Sequence, residues 1–215
     1  MANPRVGQKG KLFNKLQKTA EQFTREFDRI DADRKRTLTE LAAFVRGATV
    51  GGGKARLNFI CTHNSRRSHM AQLWAQAAAY YYGIEGVECF SGGTDATAFN
   101  PRAVAAMQEA GFSVQRISQG NNPLYDARFS DDAPALKVFS KRYSDPVNPS
   151  SDFAAVMTCS HADENCPLVA GASARISVTY DDPKDFDGLP NEELMYRERA
   201  LQIGREMFFA FSEVT

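Results

Sequence analysis

Cysteines and long apolar runs are both scarce in this chain. Its 215 residues include four cysteines, too few for the disulfide framework that small secreted domains use in place of a large core. The sequence shows neither an N-terminal apolar stretch of signal-peptide type nor a segment long enough to span a bilayer. We therefore expect a cytoplasmic protein without membrane association, whose cysteines serve chemistry or bind metal.

The chain also lacks an excess of charge of one sign. It contains 26 Lys and Arg residues and 26 Asp and Glu residues, so its composition does not favour nucleic-acid binding. The charges are nevertheless unevenly distributed, because residues 1–56 hold 13 basic and 6 acidic side chains while the remainder holds 13 and 20. This division predicts a basic N-terminal arm, residues 1–55, attached to an acidic body, residues 56–215.

The arm has the apolar spacing of two amphipathic helices and ends in a glycine-rich linker. The second helix is predicted to begin near Thr37, because Thr37 and Glu40 have the spacing of a capping box. Gly51, Gly52 and Gly53 then predict a flexible connection to the first strand. The apolar positions of the first helix recur at steps of three and four residues: Phe13, Leu16, Ala20, Phe23, Phe27 and Ile30.

The stretch from Leu57 to Ser68 contains the most informative pattern. An apolar strand ends at Cys61, five residues follow, and Arg67 opens a long helix. A loop of this length can wrap one tetrahedral oxyanion with its backbone N–H groups, and the helix N-terminus adds positive potential. A cysteine beside a helix N-terminus and a guanidinium is favoured as the thiolate, which is the nucleophilic form. Arg67 offers two parallel N–H donors that match phosphate or arsenate oxygens.

Two polar side chains, one in the loop and one just after Arg67, strengthen this interpretation. The amide of Asn64 can tie the loop to itself, and Ser68 can cap the helix and donate a hydrogen bond to the sulfur. The alternative is a buried cysteine at a strand end, followed by an exposed pair of arginines. In the favoured interpretation, the residues around the nucleophile bind the substrate: Thr62, His63, Asn64, Ser65, Arg66 and Ser68.

Alternating strand and helix patterns after this loop predict an α/β fold with a parallel sheet and right-handed crossovers. Asn100 is predicted to cap one of the helices, with Pro101 in its first turn. A closing helix carries Leu194, Leu201, Phe208 and Phe211 on one side. The remaining strands of the sheet are predicted at residues 87–91, 153–158 and 175–180, and the closing helix at 191–211.

Residues 118–152 form the least regular part of the chain. Within them, 124–129 and 135–139 have the composition of two hairpin arms around a turn rich in Ser, Asp and Pro. We assign no function to this insertion from the sequence.

Reactive side chains follow three of the predicted parallel strands. Cys61, Cys159 and the pair of Asp181 and Asp182 each lie just beyond a strand end, and ligands bind at the carboxyl edge of an open parallel sheet. A thiolate that attacks an oxyanion needs an acid to protonate the departing oxygen. Asp181 or Asp182, held by Pro183, can supply that proton, and an Asp-Pro turn without a catalytic role is the alternative.

These motifs resemble those of the low-molecular-weight protein tyrosine phosphatase superfamily. The resemblance covers about residues 56–213 and leaves the N-terminal arm unexplained. It implies a four-stranded parallel sheet flanked by helices, to which the arm adds an N-terminal helical extension. The segments that carry the resemblance are Cys61-Thr62-His63-Asn64-Ser65-Arg66-Arg67-Ser68, Ser91-Gly92-Gly93, Asn100-Pro101 and Asp181-Asp182-Pro183.

The resemblance also implies a role for each of three side chains. Cys61 corresponds to the nucleophile of the family, Arg67 to the arginine that binds the oxyanion, and Asp182 to the general acid. Two positions depart from the family pattern. His63 stands where glycine is usual, so the backbone is expected to be strained there. Arg66 stands where many members have a second cysteine, so no disulfide can form within the loop.

Residues 156–167 are similar to a segment of thioredoxin-coupled arsenate reductases in the same superfamily. They contain Cys159 and Cys166, seven residues apart on a predicted polar loop. The resemblance implies a relay in which Cys61 attacks arsenate, Cys159 attacks the Cys61 sulfur, and Cys166 takes over the disulfide. The alternatives are two simple surface thiols, or a zinc site formed by Cys159, His161 and Cys166.

Three functions are compatible with these patterns. The first is arsenate reduction through the cysteine relay, with an external dithiol such as thioredoxin as partner and no resident cofactor or metal. The second is hydrolysis of phosphotyrosine or aryl phosphates through a cysteinyl-phosphate, which requires Cys61, Arg67 and Asp182 but neither downstream cysteine. The third is an oxyanion-binding or regulatory module whose basic helices dock a partner or nucleic acid, and its sole support is the charge of the arm.

Overall fold

The computed structural model describes residues 7–165 and 168–215, which form an α/β fold. In this part of the chain the helices are α1 (Asn14–Thr24), α2 (Ala32–Thr49), α3 (Arg67–Tyr82), α4 (Pro101–Ala110), α5 (Ser160–Asn165) and α6 (Glu192–Ser212). The strands are β1 (Ala55–Cys61), β2 (Val87–Gly93), β3 (Ser113–Arg116), β4 (Tyr125–Arg128), β5 (Leu136–Val138), β6 (Phe153–Met157) and β7 (Ala172–Ser177). Two short 3-10 helices lie at Phe27–Arg29 and Pro183–Phe186.

Four strands form a parallel sheet in the order β2-β1-β6-β7, which confirms the predicted sheet. Alternate residues of β1 enter different cores on the two faces. Leu57 and Phe59 belong to a large core with helices α1, α2, α3, α4 and α6. Ile60 belongs to a small core with Met157 of β6 and Ala162 of α5. Helices therefore cover both faces, as a parallel sheet requires.

A three-stranded antiparallel sheet, in the order β3-β4-β5, forms a second layer of strands. β4 pairs with β5, so the predicted hairpin arms at 124–129 and 135–139 are confirmed. β3 pairs with β4 and was not predicted, because Val114 is the single buried residue among its four. The insertion reaches the parallel sheet where Tyr143 N donates a hydrogen bond to Gly93 O at 2.8 Å.

Helix α1 confirms the first predicted amphipathic helix but is shorter than its apolar stripe. Leu16, Ala20 and Phe23 are buried on one side of it. The helix ends at Thr24, so Phe27 lies in a 3-10 turn instead. The last turn is closed by a tighter hydrogen bond of the 3-10 type, which Arg25 N donates to Gln22 O at 3.0 Å.

Helix α2 begins at Ala32, earlier than predicted. Asp31 is its N-cap, because the carboxylate accepts a hydrogen bond from Arg34 N at 2.8 Å. The capping box predicted at Thr37 and Glu40 is therefore wrong, since both residues lie inside the helix. Aspartate caps a helix at least as well as threonine, and the Lys and Arg residues that follow it favour helix, so the upstream cap prevails.

Helices α1 and α2 share one core with the parallel sheet. The ring of Phe23 meets Trp74 edge to face with 5.2 Å between centroids, and it lies 5.7 Å from Phe208 of α6. Gly204 permits this approach, because a Cβ there would lie 2.6 Å from Phe23 Cε2. Burial of one such ring contributes about 2 kcal/mol. Apolar contacts thus join the predicted N-terminal arm, residues 1–55, to the predicted body, residues 56–215.

Helix α6 confirms the predicted closing helix within one residue at each end. Phe208 is buried and Leu201 is half-buried, but Leu194 is 44% exposed, so the predicted stripe fails in the first turn. Leu194, Leu201 and Phe208 are seven residues apart, and positions with this spacing rotate by about 20° per step around a straight helix. The buried side of the first turns is therefore formed by Tyr196 and Ile203. No helix in the described part of the chain is long and apolar enough to cross a membrane.

Candidate active site

Cys61 lies at the carboxyl edge of the parallel sheet, where β1 ends. Cys159 follows the neighbouring strand β6, and Asp182 follows β7 on the far side of β6. The ends of β1 and β6 are joined directly, because Thr158 N and Thr158 Oγ1 both donate to Ile60 O, at 2.7 and 2.9 Å. The structure thus brings the three reactive positions to one edge of the sheet.

The loop between β1 and α3 turns at Asn64, which adopts the left-handed conformation with a φ of 44°. Asn64 Nδ2 donates to Ser68 Oγ at 2.9 Å, and Asn64 Oδ1 accepts from Lys141 N at 2.9 Å. Asparagine tolerates this region of φ better than most residues with a Cβ. The strain predicted at His63 is therefore misplaced by one residue, since the φ of His63 is not positive.

Three carbonyl groups of the loop are bonded to groups outside it. Within the part of the chain that the structure describes, the N–H groups of residues 63–66 donate to no protein atom. Consecutive N–H groups whose carbonyls face outward form a nest that can bind an anion. The carbonyl bonds run from Asp95 N to Thr62 O (2.8 Å), from Ser140 Oγ to His63 O (3.0 Å) and from Asn100 N to Ser65 O (2.9 Å).

Gly93, at the end of β2, supports the loop from the side. A Cβ at this position would lie 2.2 Å from Asp95 O and 2.7 Å from Asn64 N, closer than any side chain tolerates. The glycine is therefore required by the close approach of two backbone segments, which gives the Ser91-Gly92-Gly93 motif a physical reason.

The residue that carries the candidate nucleophile, Cys61, is 3% exposed, and its Sγ lies 3.1 Å from Ser68 Oγ. A hydroxyl at this distance can donate a charge-assisted hydrogen bond to a thiolate. Helix α3 begins at Arg67 with Arg66 as its N-cap and no side-chain capping bond, so the prediction that Ser68 caps the helix is wrong. The N–H groups of the first turn are consequently left to attract an anion.

Arg67 and Asp182 form an ion pair beside the loop. Arg67 Nη2 donates to Asp182 Oδ2 at 2.6 Å, and Arg67 Nη1 donates to Tyr180 O at 2.8 Å. The side chains of Arg67 and Asp182 are 11% and 23% exposed. Asp181 is 89% exposed and pairs with Arg199 at 3.2 Å. The structure thus places Asp182, the aspartate that the resemblance implied, against Arg67, and it places Asp181 elsewhere.

The guanidinium of Arg66 takes part in a polar network with Tyr196 and Asp187. Its Nε donates to Tyr196 Oη at 2.8 Å, and the tyrosine in turn donates to Asp187 Oδ1 at 2.7 Å. Burial and this hydrogen bond to Asp187 raise the pKa of Tyr196 to about 12, so the phenol stays neutral. Arg66 also lies 3.9 Å from Asp182, and it therefore adds positive charge behind the carboxylate that Arg67 holds.

Cys159 lies in a buried position, although the sequence predicted a polar loop there. It is 1% exposed and belongs to the same small core as Cys61. Its Sγ is 3.5 Å from Thr62 Oγ1 and accepts a hydrogen bond from Ala162 N at 3.3 Å. The loop residue after the first cysteine thus contacts the second cysteine directly. Burial follows because α5 begins at the next residue and folds back over the sulfur.

The other residues of the predicted relay are only partly defined. His161 Nδ1 lies 3.3 Å from Thr62 Oγ1, so it approaches the same hydroxyl as Cys159. Cys166 lies outside the described residues, and its role and the alternative zinc site stay predictions. Among residues 7–165 and 168–215, no group of three or more His, Cys, Asp or Glu side chains is arranged to hold a metal ion.

His69 and Lys141 lie next to the loop and were not predicted as parts of the site. His69 is fully buried, with Nδ1 3.0 Å from Ser91 Oγ. Burial, reinforced by the nearby Lys141 ammonium, lowers the pKa of His69 well below its usual range. Burial also lowers the pKa of Lys141 to about 8. His69 could have been found by its position in the first turn of α3, but no pattern marks Lys141 within the insertion.

Comparison with known proteins finds a phosphatase family model and arsenate reductases. A family model described as low molecular weight phosphotyrosine protein phosphatase matches residues 56–126. An arsenate reductase of Halalkalibacterium halodurans is 28% identical over 155 residues, which are 72% of this chain and 93% of that protein. An arsenate reductase of Brevibacillus brevis is 32% identical over 130 residues, which are 60% of this chain and 78% of that protein.

A solved structure shares the architecture of the parallel sheet. A mutant of YwlE from Bacillus subtilis matches with a TM-score of 0.51 and 15% sequence identity. The match covers 74% of this chain and 97% of that chain. At this level of identity, the likeness concerns the fold.

Proposed function

The chain belongs to the low-molecular-weight protein tyrosine phosphatase superfamily, close to its arsenate reductases, and on this premise we propose that it is an enzyme that reduces arsenate to arsenite through a cysteine relay. One observation carries the proposal. A second thiol, Cys159, lies 3.5 Å from the hydroxyl of Thr62, the residue that follows Cys61. A phosphatase needs the first thiol alone, whereas reduction by two electrons needs a second thiol that attacks the first sulfur and forms a disulfide with it.

The oxyanion is proposed to bind in the nest. The N–H groups of residues 63–66, the first turn of α3 and the two-pronged guanidinium of Arg67 would all face its oxygens. Arg67 bonds to Asp182 at 2.6 Å, so an oxyanion that engages this guanidinium competes with the carboxylate. Asp182 is then available to carry the proton that the departing oxygen requires.

In the first step, the Cys61 thiolate attacks the arsenic atom of arsenate. A sulfur–arsenic bond forms and an arsenic–oxygen bond breaks, and the oxygen leaves as water with a proton from Asp182. Ser68 Oγ, 3.1 Å from the sulfur, stabilises the thiolate before the attack. Arsenic is not yet reduced at this stage.

In the second step, the Cys159 thiolate attacks Cys61 Sγ. A disulfide forms, the sulfur–arsenic bond breaks, and its electron pair stays on arsenic, which leaves as arsenite. Cys166 then attacks Cys159 and releases the Cys61 thiolate, so the protein ends with a Cys159–Cys166 disulfide. The sum is arsenate and two thiols converted to arsenite, one disulfide and water.

An external dithiol must reduce the disulfide before the next cycle. A thioredoxin-like protein has the required chemistry, and a reducing compartment such as the cytoplasm would keep the thiols available. Cys159 is buried, so transfer of the disulfide to the protein surface would require α5 to move.

Phosphomonoester hydrolysis is the second candidate, because the same loop and acid suffice for it. Cys61, Arg67 and Asp182 would form and break a cysteinyl-phosphate, and water would resolve it. The match of residues 56–126 to a phosphatase family model favours this candidate. The two activities differ in their need for Cys159 and Cys166.

A single-turnover experiment separates the two candidates. The reduced protein is mixed with arsenate without added dithiol, and arsenite, free thiols and disulfide positions are measured. We expect wild type to release one arsenite for two thiols lost. Cys166→Ser should release one arsenite and keep a Cys61–Cys159 bridge, and Cys159→Ser should release none.

Cys89→Ala is the matched control for these variants. Cys89 is buried in the large core, away from the loop, and burial raises the pKa of its thiol. The variant should therefore behave as wild type. Arsenite release by Cys159→Ser at the wild-type rate would show that the relay is wrong. If the wild-type protein hydrolyses an aryl phosphate, and its free thiols do not decrease when arsenate is added, the phosphatase function would be favoured.

A further inference from the structure

Arg34, in the first turn of α2, reaches the segment that carries Asp182. Its Nη2 donates to Thr179 O at 2.9 Å, and its guanidinium carbon lies 4.6 Å from the centre of the Tyr180 ring. Its Nε donates to Glu206 Oε2 at 2.8 Å. The side chains of Arg34 and Glu206 are 16% and 5% exposed, so this is a desolvated contact between the arm and the body.

Two arginines therefore hold adjacent carbonyl groups. Thr179 O accepts from Arg34, and Tyr180 O accepts from Arg67 at 2.8 Å. Asp182 follows two residues later and bonds to the same Arg67 guanidinium at 2.6 Å. The backbone before Asp182 is thus fixed from both sides, by the N-terminal arm and by the oxyanion loop.

Helix α6 completes the support. Glu206 accepts from Arg34 through one oxygen and from Gln202 Nε2 at 3.2 Å through the other. Gln202 also bonds to Arg199, and Arg199 bonds to Asp181 at 3.2 Å. A continuous hydrogen-bonded chain therefore runs from α2 along α6 and returns to the residue that precedes Asp182.

We propose that Arg34 is a positioning residue for Asp182, and that helix α2 therefore belongs to the catalytic unit. The inference rests on the proposed role of Asp182 as the acid. Arg34 holds Thr179 and the ring of Tyr180, and through them sets where the Asp182 carboxylate stands relative to Arg67. It acts on the step that protonates the departing oxygen, without contact with the substrate.

Lysine is the informative replacement for Arg34. An ammonium can still pair with Glu206, so the buried carboxylate keeps a cation. It cannot at the same time reach Thr179 O and lie flat on the Tyr180 ring, because it lacks the planar fork of the guanidinium. Arg34→Lys therefore removes the contacts with the segment and keeps the ion pair.

Arg205→Lys is the matched control. Arg205 Nη1 bonds to Glu26 of the arm at 3.2 Å, with side chains 18% and 17% exposed. It therefore joins the same two parts of the chain at a similar depth, and it has no contact with residues 179–182 among the described interactions. A general weakening of the contact between the arm and the body would affect both variants alike.

The test measures single-turnover arsenite release with arsenate and, separately, amide hydrogen exchange in residues 178–186. We expect Arg34→Lys to slow release about 10-fold, since a misplacement of about 1 Å can cost as much as about 100-fold. The arsenate concentration at half-saturation should not rise, since the nest is unchanged and a displaced Asp182 carboxylate competes less for Arg67. Exchange in residues 178–186 should become faster. Arg205→Lys should match wild type in both measurements.

A double-mutant cycle with Asp182→Asn isolates the route of the effect. If Arg34 acts through Asp182, Arg34→Lys should cause no further loss in the Asp182→Asn background. Three results would each overturn the inference. They are a double mutant whose loss of release rate is the product of the two single losses, an equal loss of rate in Arg34→Lys and Arg205→Lys, and unchanged hydrogen exchange of residues 178–186 in Arg34→Lys. Full activity of Asp182→Asn alone would instead reject the proposed acid, and the exchange measurement would still report whether Arg34 holds the segment.

Discussion

Replacement of Asn64 by alanine or glycine separates two contributions that this residue makes to the loop. Asn64 is fully buried, its φ is 44°, and both ends of its amide are bonded. Either replacement removes the amide and leaves Lys141 N without its acceptor. Alanine also keeps a Cβ in the left-handed region, whereas glycine occupies that region without steric cost.

The expected magnitudes follow from these losses. A buried N–H left without a partner costs about 1–3 kcal/mol, and a Cβ in the left-handed region costs about 1–2 kcal/mol. We therefore expect Asn64→Ala to lose about 2 kcal/mol of unfolding free energy through the lost amide. Asn64→Gly should lose about 1 kcal/mol, because it also removes the Cβ that asparagine and alanine share in this region. For a chain of this length, the melting temperature should fall by about 2–4 °C per kcal/mol.

Urea unfolding and single-turnover arsenite release test this prediction together. Both variants should slow release about 100-fold, because the nest loses its internal tie and its N–H groups shift. The order of stability should be wild type, then glycine, then alanine. An alanine variant as stable as the glycine variant would show that the backbone at Asn64 is not strained. Release within 2-fold of wild type would show that the amide does not organise the nest.

Three further predictions concern neighbouring side chains. Arg67→Lys should raise the arsenate concentration at half-saturation at least 10-fold, because one ammonium cannot replace a two-pronged donor, and titration of the release rate checks this. Thr62→Val removes the hydroxyl beside Cys159; it should slow arsenite release while hydrolysis of an aryl phosphate, if present, stays unchanged. Burial lowers the pKa of His69, so below about pH 6.5 the imidazole is protonated in the unfolded chain but not in the folded protein. The free energy of unfolding should therefore fall by up to about 1.4 kcal/mol per pH unit as the pH decreases. Urea unfolding of His69→Gln should show a weaker dependence on pH.

The features that the sequence predicted best are those set by local spacing. A strand, Cys61, five residues, Arg67 and a helix follow one another within a dozen positions, so short-range geometry defines the loop. The alternation of strands and helices likewise predicted the parallel sheet and the closing helix. Errors occurred where two local signals competed, as at Asp31 and the pair of Thr37 and Glu40, where the upstream cap prevailed.

The remaining features depend on contacts between distant segments. Asp181 and Asp182 are adjacent, so local spacing does not indicate which of them contacts Arg67. The packing of the chain after β7 brings Asp182 to Arg67 and Asp181 to Arg199. Cys159 reads as part of a polar loop, yet α5 folds over it and buries it.

By itself, the sequence predicted the loop between Cys61 and Arg67, the candidate nucleophile within it and the class of the fold, because periodicity and motif spacing act over a few residues. The tertiary structure alone decided which aspartate meets Arg67, that Cys159 lies against Thr62, and that Arg34 supports a segment 145 positions away. Side chains so far apart meet because two helices and a sheet share one core, and no local pattern encodes which partners that packing brings together.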